Sequence, residues 1–147
     1  MTTVSSDDED AIEHFRELLR LLPKGFALAI TDTFSPHGKR RVLWSNKAFQ
    51  KLFGYSKEEV CQLDPQHFWN LPQQERTRWL EVVIQQGFVE DFRVTLKTKQ
   101  GQSFVGYGNA VIVHHDQRPY LMCNVCHTLE ESQAFNRERK LLLIQQI

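Results

Sequence analysis

No apolar run in this 147-residue chain approaches the roughly 20 residues needed to cross a bilayer as a helix. Neither sign of charge is in excess, since 18 lysines and arginines stand against 18 aspartates and glutamates. A neutral chain has no electrostatic drive towards nucleic acid or an anionic membrane, so neither is expected as a partner. Cysteine is scarce, at three. The opening stretch MTTVSSDDED is acidic and polar, the reverse of a secretory leader. The expected compartment is therefore the cytoplasm, with reduced thiols. There is no P-loop, no nucleophile elbow and no paired Cys/His cluster at metal-ligand spacing. Catalysis is not expected of these residues; an enzymatic output would lie beyond residue 147. Internal repeats and low-complexity segments are also missing.

What is present is a sequence of short, well-punctuated elements. Ser6-Asp7-Asp8-Glu9 has the spelling of a capping box, with carboxylates at the positive end of a helix. Ile12, Phe15, Leu18, Leu19 and Leu22 then fall on one helical stripe, ended by Pro23 and Gly25. That stripe must bury against the sheet or against a second subunit. Two strand-like runs follow, 26–31 and 41–45, joined by a polar loop with Ser35, Pro36, His37 and Gly38. Asn46 is a good helix N-cap and Gly54 a good stop. Ser56-Lys57-Glu58-Glu59 is a second capping box. Pro72 opens a longer helix that Gly87 closes.

Three strand candidates come next: 88–97, 103–114 and 119–128. Lys99-Gln100-Gly101 forms a turn between the first two. In 103–114 both faces are largely apolar, which predicts a sheet covered on both sides. From Leu129 the pattern is helical again. Adjacent strands with tight turns and grouped helices give an α+β fold with an antiparallel sheet.

The block Asn46-Lys47-Ala48-Phe49, continued by Leu52-Phe53-Gly54-Tyr55-Ser56-Lys57-Glu58-Glu59, resembles the "N-x-A-F-x-x-L-x-G-Y-S-x-E-E" core of PAS domains. Residues 88–94, the Lys99-Gln100-Gly101 turn and the long strand after it resemble that family's third and fourth strands. Glu130-Glu131-Ser132-Gln133-Ala134 resembles the start of its signalling helix. The resemblance spans about residues 23–134. It implies a PAS fold: a five-stranded antiparallel sheet with helices over one face, flanked by N- and C-terminal helices. The implied organisation is a flanking helix at 1–22, a PAS domain at 23–128, and at 129–147 the start of a signalling helix that continues into a longer protein.

The family resemblance also implies a sensory and dimerisation module that signals through its flanking helices to a kinase or diguanylate cyclase type of output domain. Candidates for the dimer or signalling surface are Ile12, Phe15, Leu19, Leu22, Leu129, Leu142 and Leu143. Candidates to line a pocket for a small apolar or aromatic ligand are Trp44, Phe49, Phe53, Phe68, Trp69, Leu80, Val83, Phe92, Gly106 and Gly108, with filling of the core as the alternative role for the same residues. One departure stands out. Relatives often close the last strand with Asp-Ile-Thr, whereas His127-Thr128-Leu129 stands here, so the resemblance does not carry over the usual polar link from core to exit helix.

Two cofactor readings follow from the same family: a haem- or flavin-binding redox or gas sensor. Neither is spelled out by the residues. The flavin-photoadduct subgroup uses an Asn-Cys-Arg-Phe-type motif, which Glu59-Val60-Cys61-Gln62-Leu63 does not match. His67 is the only candidate axial haem ligand near the expected pocket. A reading of another class, a small c-type haem electron carrier, rests on Cys123-Asn124-Val125-Cys126-His127, which spells C-x-x-C-H. On a strand, Cys123 and His127 share a face and Cys126 points the other way. The two Cα atoms then lie roughly 10 Å apart, beyond the ~7 Å reach of a disulfide. Buried structural thiols are the expectation.

Overall fold

A computed structural model describes residues 6–20, 25–32, 41–69 and 72–145. Helix α1 runs Ser6–Leu19, and strands β1 (Ala27–Asp32) and β2 (Val42–Ser45) follow. Three short helical pieces come next: α2 (Lys47–Phe53), α3 (Lys57–Val60) and a 3-10 turn at Pro65–Phe68. Helix α4 (Gln73–Gln86) leads into β3 (Phe88–Lys97), β4 (Ser103–His115) and β5 (Arg118–Cys126), and α5 (Leu129–Gln145) closes the chain. The connection 33–40 lies outside the described residues.

Local chemistry sets the boundaries. The Asn46 side chain accepts from the Phe49 amide at 2.9 Å and also from the Leu28 amide at 3.0 Å, so one residue caps α2 and fastens it to β1. Gly54 closes α2 at φ 81, a left-handed conformation that glycine adopts without strain. Ser56 and Glu59 make the reciprocal bonds of a capping box at α3. Gly87 ends α4 at φ 86.

The five strands form one antiparallel sheet in the order β2-β1-β5-β4-β3. β5 is central, paired with β1 on one side and β4 on the other. The segment α2 to α4 therefore carries the chain across one face, from edge strand β2 to edge strand β3. That face, here the inner face, holds a core of Ala27, Ala29, Phe49, Phe53, Val60, Phe68, Val94 and Leu96, continued by Trp79, Val83, Ala110 and Leu121. The outer face holds Leu28, Ile30, Leu43, Tyr120, Met122 and Cys126 under α1 and α5. Both faces are thus covered, as the apolar alternation of β4 predicts.

Ile12, Phe15 and Leu19 of α1 are buried against this outer face of their own sheet. Of the two partners left open by the sequence, the sheet takes the stripe. Asp8, also on α1, is 4% exposed and accepts a 2.9 Å hydrogen bond from the Tyr120 hydroxyl. Arg41 and Arg118 stand 3.8 and 3.9 Å from its carboxylate oxygens. Burial and the neighbouring Asp8 carboxylate push the Tyr120 phenol up to about 12. Leu22 lies outside the described residues.

Candidate functional site

Between the inner face and α2, the 3-10 turn and α4 lies a cavity of about 50 Å³. Three phenylalanines wall one side, with ring centroids 4.7 Å (Phe49–Phe53), 4.8 Å (Phe53–Phe68) and 5.2 Å (Phe49–Phe68) apart. Trp69 and Trp79 meet edge to face at 4.5 Å on another. Ala29, Val94, Leu96, Gly108 and Cys123 contribute the floor from the sheet.

Of the residues the sequence nominates for a pocket, Phe49, Phe53, Phe68, Trp69 and Gly108 line the cavity. Leu80, Val83 and Phe92 pack around Trp79 in the adjoining core and do not reach it. Gly106 also lies outside the lining, one strand step away from Gly108 on the same face. Trp44 stands on the opposite face, packed with Leu43 and Ile30. Strict alternation from Val42 would have put it inside. A bulge breaks the alternation: Ile30 pairs with Trp44 but Thr31 with Val42, so Leu43 is the extra residue. Trp79 also lines the cavity, although it is not among the nominated pocket residues.

Directly behind the cavity floor, the outer face carries a buried polar cluster. Asn109 of β4 and Asn124 of β5 are register partners, both 4% exposed or less, and both belong to the cavity wall. The Asn109 amide nitrogen donates to Asn124 Oδ1 at 2.8 Å and to Ser132 Oγ of α5 at 2.8 Å. Asn109 Oδ1 accepts from the Asp91 amide at 2.7 Å and from Asn136 Nδ2 at 2.7 Å. Ser132 Oγ donates to Asp91 Oδ1 at 2.6 Å, and Asn136 Nδ2 reaches the same oxygen at 3.1 Å. Asp91 can serve because β3 bulges between Val89 and Phe92, with Asp91 at φ 55. Arg139, 9% exposed, adds an ion pair to Glu90 at 3.1 Å, and Lys140 reaches the same carboxylate at 3.0 Å. One acceptor, Asn136 Oδ1, is buried without a partner. Here the exit helix is tied to the sheet by Ser132, Asn136 and Arg139, from the helix itself, while at the strand end Thr128 Oγ1 accepts from the Glu131 amide at 3.1 Å and the His127 amide donates to Glu131 Oε2 at 3.2 Å.

A PAS domain family model matches residues 23–128. The chain belongs to the PAS domain family. Among curated proteins no sequence matches it. Among solved structures it is similar to a PAS domain from a two-component sensor histidine kinase, at 15% identity and TM-score 0.58, over 82% of this chain and 99% of that one. A double variant of the fungal blue-light photoreceptor Vivid is similar at 19% identity and TM-score 0.63, covering 86% and 99%. The PAS domain of the fruit-fly ELK potassium channel is similar at 15% identity and TM-score 0.61, covering 78% and 95%. At these identities the likeness is one of fold. The protein is a PAS sensory domain with flanking N- and C-terminal helices, and no helix among its described residues is long and apolar enough to cross a membrane.

Within this PAS domain the C-x-x-C-H residues are separated as strand alternation dictates. Cys123 lies on the cavity side, Cys126 is buried in the outer core, and His127 follows the strand end in an exposed position. Burial pushes the Cys126 thiol up to about 12, so it is an inert core thiol and not a nucleophile. Opposite faces of one strand cannot present both sulfurs to one porphyrin edge. Cys61 is half-buried after α3, its thiol also raised by burial.

The cavity as formed does not fit haem or flavin, since about 50 Å³ is well below the roughly 300–1,000 Å³ of pockets that enclose such groups. His67 is exposed, and its Nε2 is engaged 3.0 Å from the Tyr55 hydroxyl, outside the cavity lining.

The two β4 glycines differ in what a side chain would meet. A Cβ at Gly106 would lie 3.0 Å from Leu96 Cδ1 and 3.1 Å from the Cys126 carbonyl oxygen, a backbone atom that cannot swing aside. At Gly108 the nearest atom is 3.8 Å away. Gly106→Ala should destabilise by about 1–3 kcal/mol through overpacking. Gly108→Ala should stay within about 1 kcal/mol of wild type. Paired urea titrations check this, and equal midpoints for the two variants would refute it.

Proposed function

We propose that this PAS domain senses a small molecule in its inner cavity and relays occupancy through α5 to an output domain of kinase or diguanylate cyclase type in the cytoplasm. The observation that carries the reading is the sharing of Asn109 and Asn124. Each belongs to the cavity wall, and each is part of the polar cluster on which α5 docks. A shift of β4 or β5 by a bound molecule changes the geometry of those bonds directly. The unpaired Asn136 Oδ1 weakens the docked state, because a buried acceptor without a donor costs about 1–3 kcal/mol. A docked and an undocked α5 then differ little enough in free energy for a ligand to bias the choice. Leu129 and Leu141 are 41% and 62% exposed on α5, which supports a homodimer formed along that helix. Leu142 and Leu143, nominated for the same surface, have side chains outside the described residues.

The test is to fill the cavity from within. Ala29→Val adds two carbon atoms to a floor residue that is 2% exposed. Hydrogen exchange is then followed across 129–145. Protection there should change severalfold, while β1 and β2 keep their wild-type rates. Unchanged protection in α5, in a variant whose cavity is shown to be filled, would sink the relay.

A further inference from the structure

The wall of the inner cavity sets what the cavity can hold. No ionised side chain lines it. Its polar side chains are committed within the protein. The Asn109 amide nitrogen donates to Asn124 and Ser132, its Oδ1 accepts from Asp91 and Asn136, and the Asn124 nitrogen donates to the Ala27 carbonyl at 3.2 Å. Thr31 is 2% exposed and is itself engaged inside the fold. Cys123 packs with the core of Trp79, Val83 and Leu121, where a thiol behaves as a small hydrophobe. The Trp79 indole nitrogen has essentially no surface for a guest to touch. What faces the space is almost entirely carbon, chiefly from Ala29, Val42, Phe49, Phe53, Phe68 and Leu96.

We infer that the inner cavity takes a short aliphatic hydrocarbon of about two or three carbon atoms, and rejects both hydrogen-bonding molecules of that size and aromatic rings. This rests on the reading of the cavity as the sensory site. Binding is driven by removal of the guest's carbon surface from water and by its dispersion contacts with the phenylalanine rings. An ion or a hydroxyl would leave its hydration for a wall with no group to replace it. Water is a poor occupant for the same reason, since it needs about two to four polar partners. Size sets the upper limit. A dry apolar cavity of roughly 150 Å³ holds one benzene ring, and the space here is about 50 Å³. A diatomic gas enters but fills the space less, buries less surface and binds more weakly. The floor gives a means of changing that size. A Cβ at Gly108 meets no atom nearer than 3.8 Å, so Gly108→Ala narrows the cavity without forcing its neighbours.

The probes are propane, its polar shape-mate ethanol, and benzene. In methyl ¹H–¹³C spectra of the full chain, Val42, Val94, Leu96 and Val125 report on the wall. Propane should move these methyl signals saturably. Ethanol should bind about tenfold more weakly or worse, because its hydroxyl finds no partner there. Benzene should leave the same signals in place. Gly108→Ala, with a urea midpoint near that of wild type, should lose about tenfold or more in propane affinity through overpacking of the occupied space. Ethanol binding close to that of propane, or movement of the wall methyls by benzene, overturns the hydrocarbon assignment and leaves the sensory cavity standing. Wild-type propane affinity in Gly108→Ala places the guest elsewhere and overturns it, as does the absence of any shift with propane. Failure of the sensory reading itself is registered separately, by α5 exchange in Ala29→Val, which involves no added molecule.

Discussion

Asn109→Ala should be the most damaging polar substitution in this domain, lowering stability by about 3 kcal/mol or more and loosening α5 before anything else. The side chain is 4% exposed and makes bonds to four residues: Asn124, Ser132, Asp91 and Asn136. Truncation leaves the Asp91 amide with no acceptor from that side chain and removes one partner from each of the others, none of which water can easily replace. Each buried polar group left unpaired costs about 1–3 kcal/mol. For a domain of this size about 1 kcal/mol corresponds to roughly 2–4 °C in Tm, so a drop of about 10 °C is expected by circular dichroism. Exchange in 129–145 should accelerate to near the rate of an undocked helix, while the Phe49–Phe53–Phe68 core keeps its protection. Asn109→Asp is the informative partner. It keeps the shape but sets a second carboxylate beside Asp91, which is bound by the same Ser132 and Asn136 groups. A buried carboxylate beside the half-buried Asp91 cannot ionise cheaply while Asp91 is charged, so the folded protein holds a proton that the unfolded chain releases. Stability of this variant should therefore rise as pH falls from 7 towards 5. A Tm for Asn109→Ala within 2 °C of wild type, or a pH-independent Asn109→Asp, would count against the cluster as the anchor of α5.

Phe15→Ala should cost about 3–5 kcal/mol, the range for deleting a buried phenylalanine. The ring is 1% exposed, with its centroid 5.7 Å from that of Tyr120 and 6.2 Å from that of His115. Its neighbours are sheet residues of the same chain, so the loss should be independent of protein concentration. That distinguishes it from a stripe buried between subunits, where the midpoint would move with concentration by mass action. Tyr120→Phe isolates the polar half of the same attachment: it removes the 2.9 Å bond to Asp8 and leaves the ring in place. A loss of about 1–3 kcal/mol is expected, with α1 exchanging faster and α4 unaffected. Thermal melts of Phe15→Ala at several concentrations provide the check. A concentration-dependent Tm would show that α1 belongs to an interface.

Much of the fold was written locally. Asn46, Gly54, the Ser56–Glu59 box, Pro72 and Gly87 each act within a turn of their own position, and each falls where its short-range chemistry places it. The alternation of β4 carried enough information to predict a sheet covered on both faces. The bulges did not show. One reverses Trp44, and the other turns Asp91 towards α5. A bulge is one unpaired residue between two strands, and its position depends on a partner strand that the local pattern does not contain. The Asp116–Gln117 turn carries both residues at positive φ, 49 and 66, without a glycine to announce it.

The functional cluster was legible only in pieces. Asn109, Asn124, Ser132 and Asn136 look like ordinary polar residues in the sequence, since nothing about an asparagine on a strand says that water is excluded around it. Asp8 is the same case, an acidic residue in a first helical turn that ends up 4% exposed under Arg41 and Arg118. By itself the sequence determined the element types, their order, the antiparallel sheet and the PAS family, because caps, turns and hydrophobic periods are short-range. Only the tertiary structure decided which face each aromatic serves, that α1 lies on its own sheet, and that Trp79 lines the cavity. Those are facts of exclusion from water, and exclusion exists only once distant segments have packed.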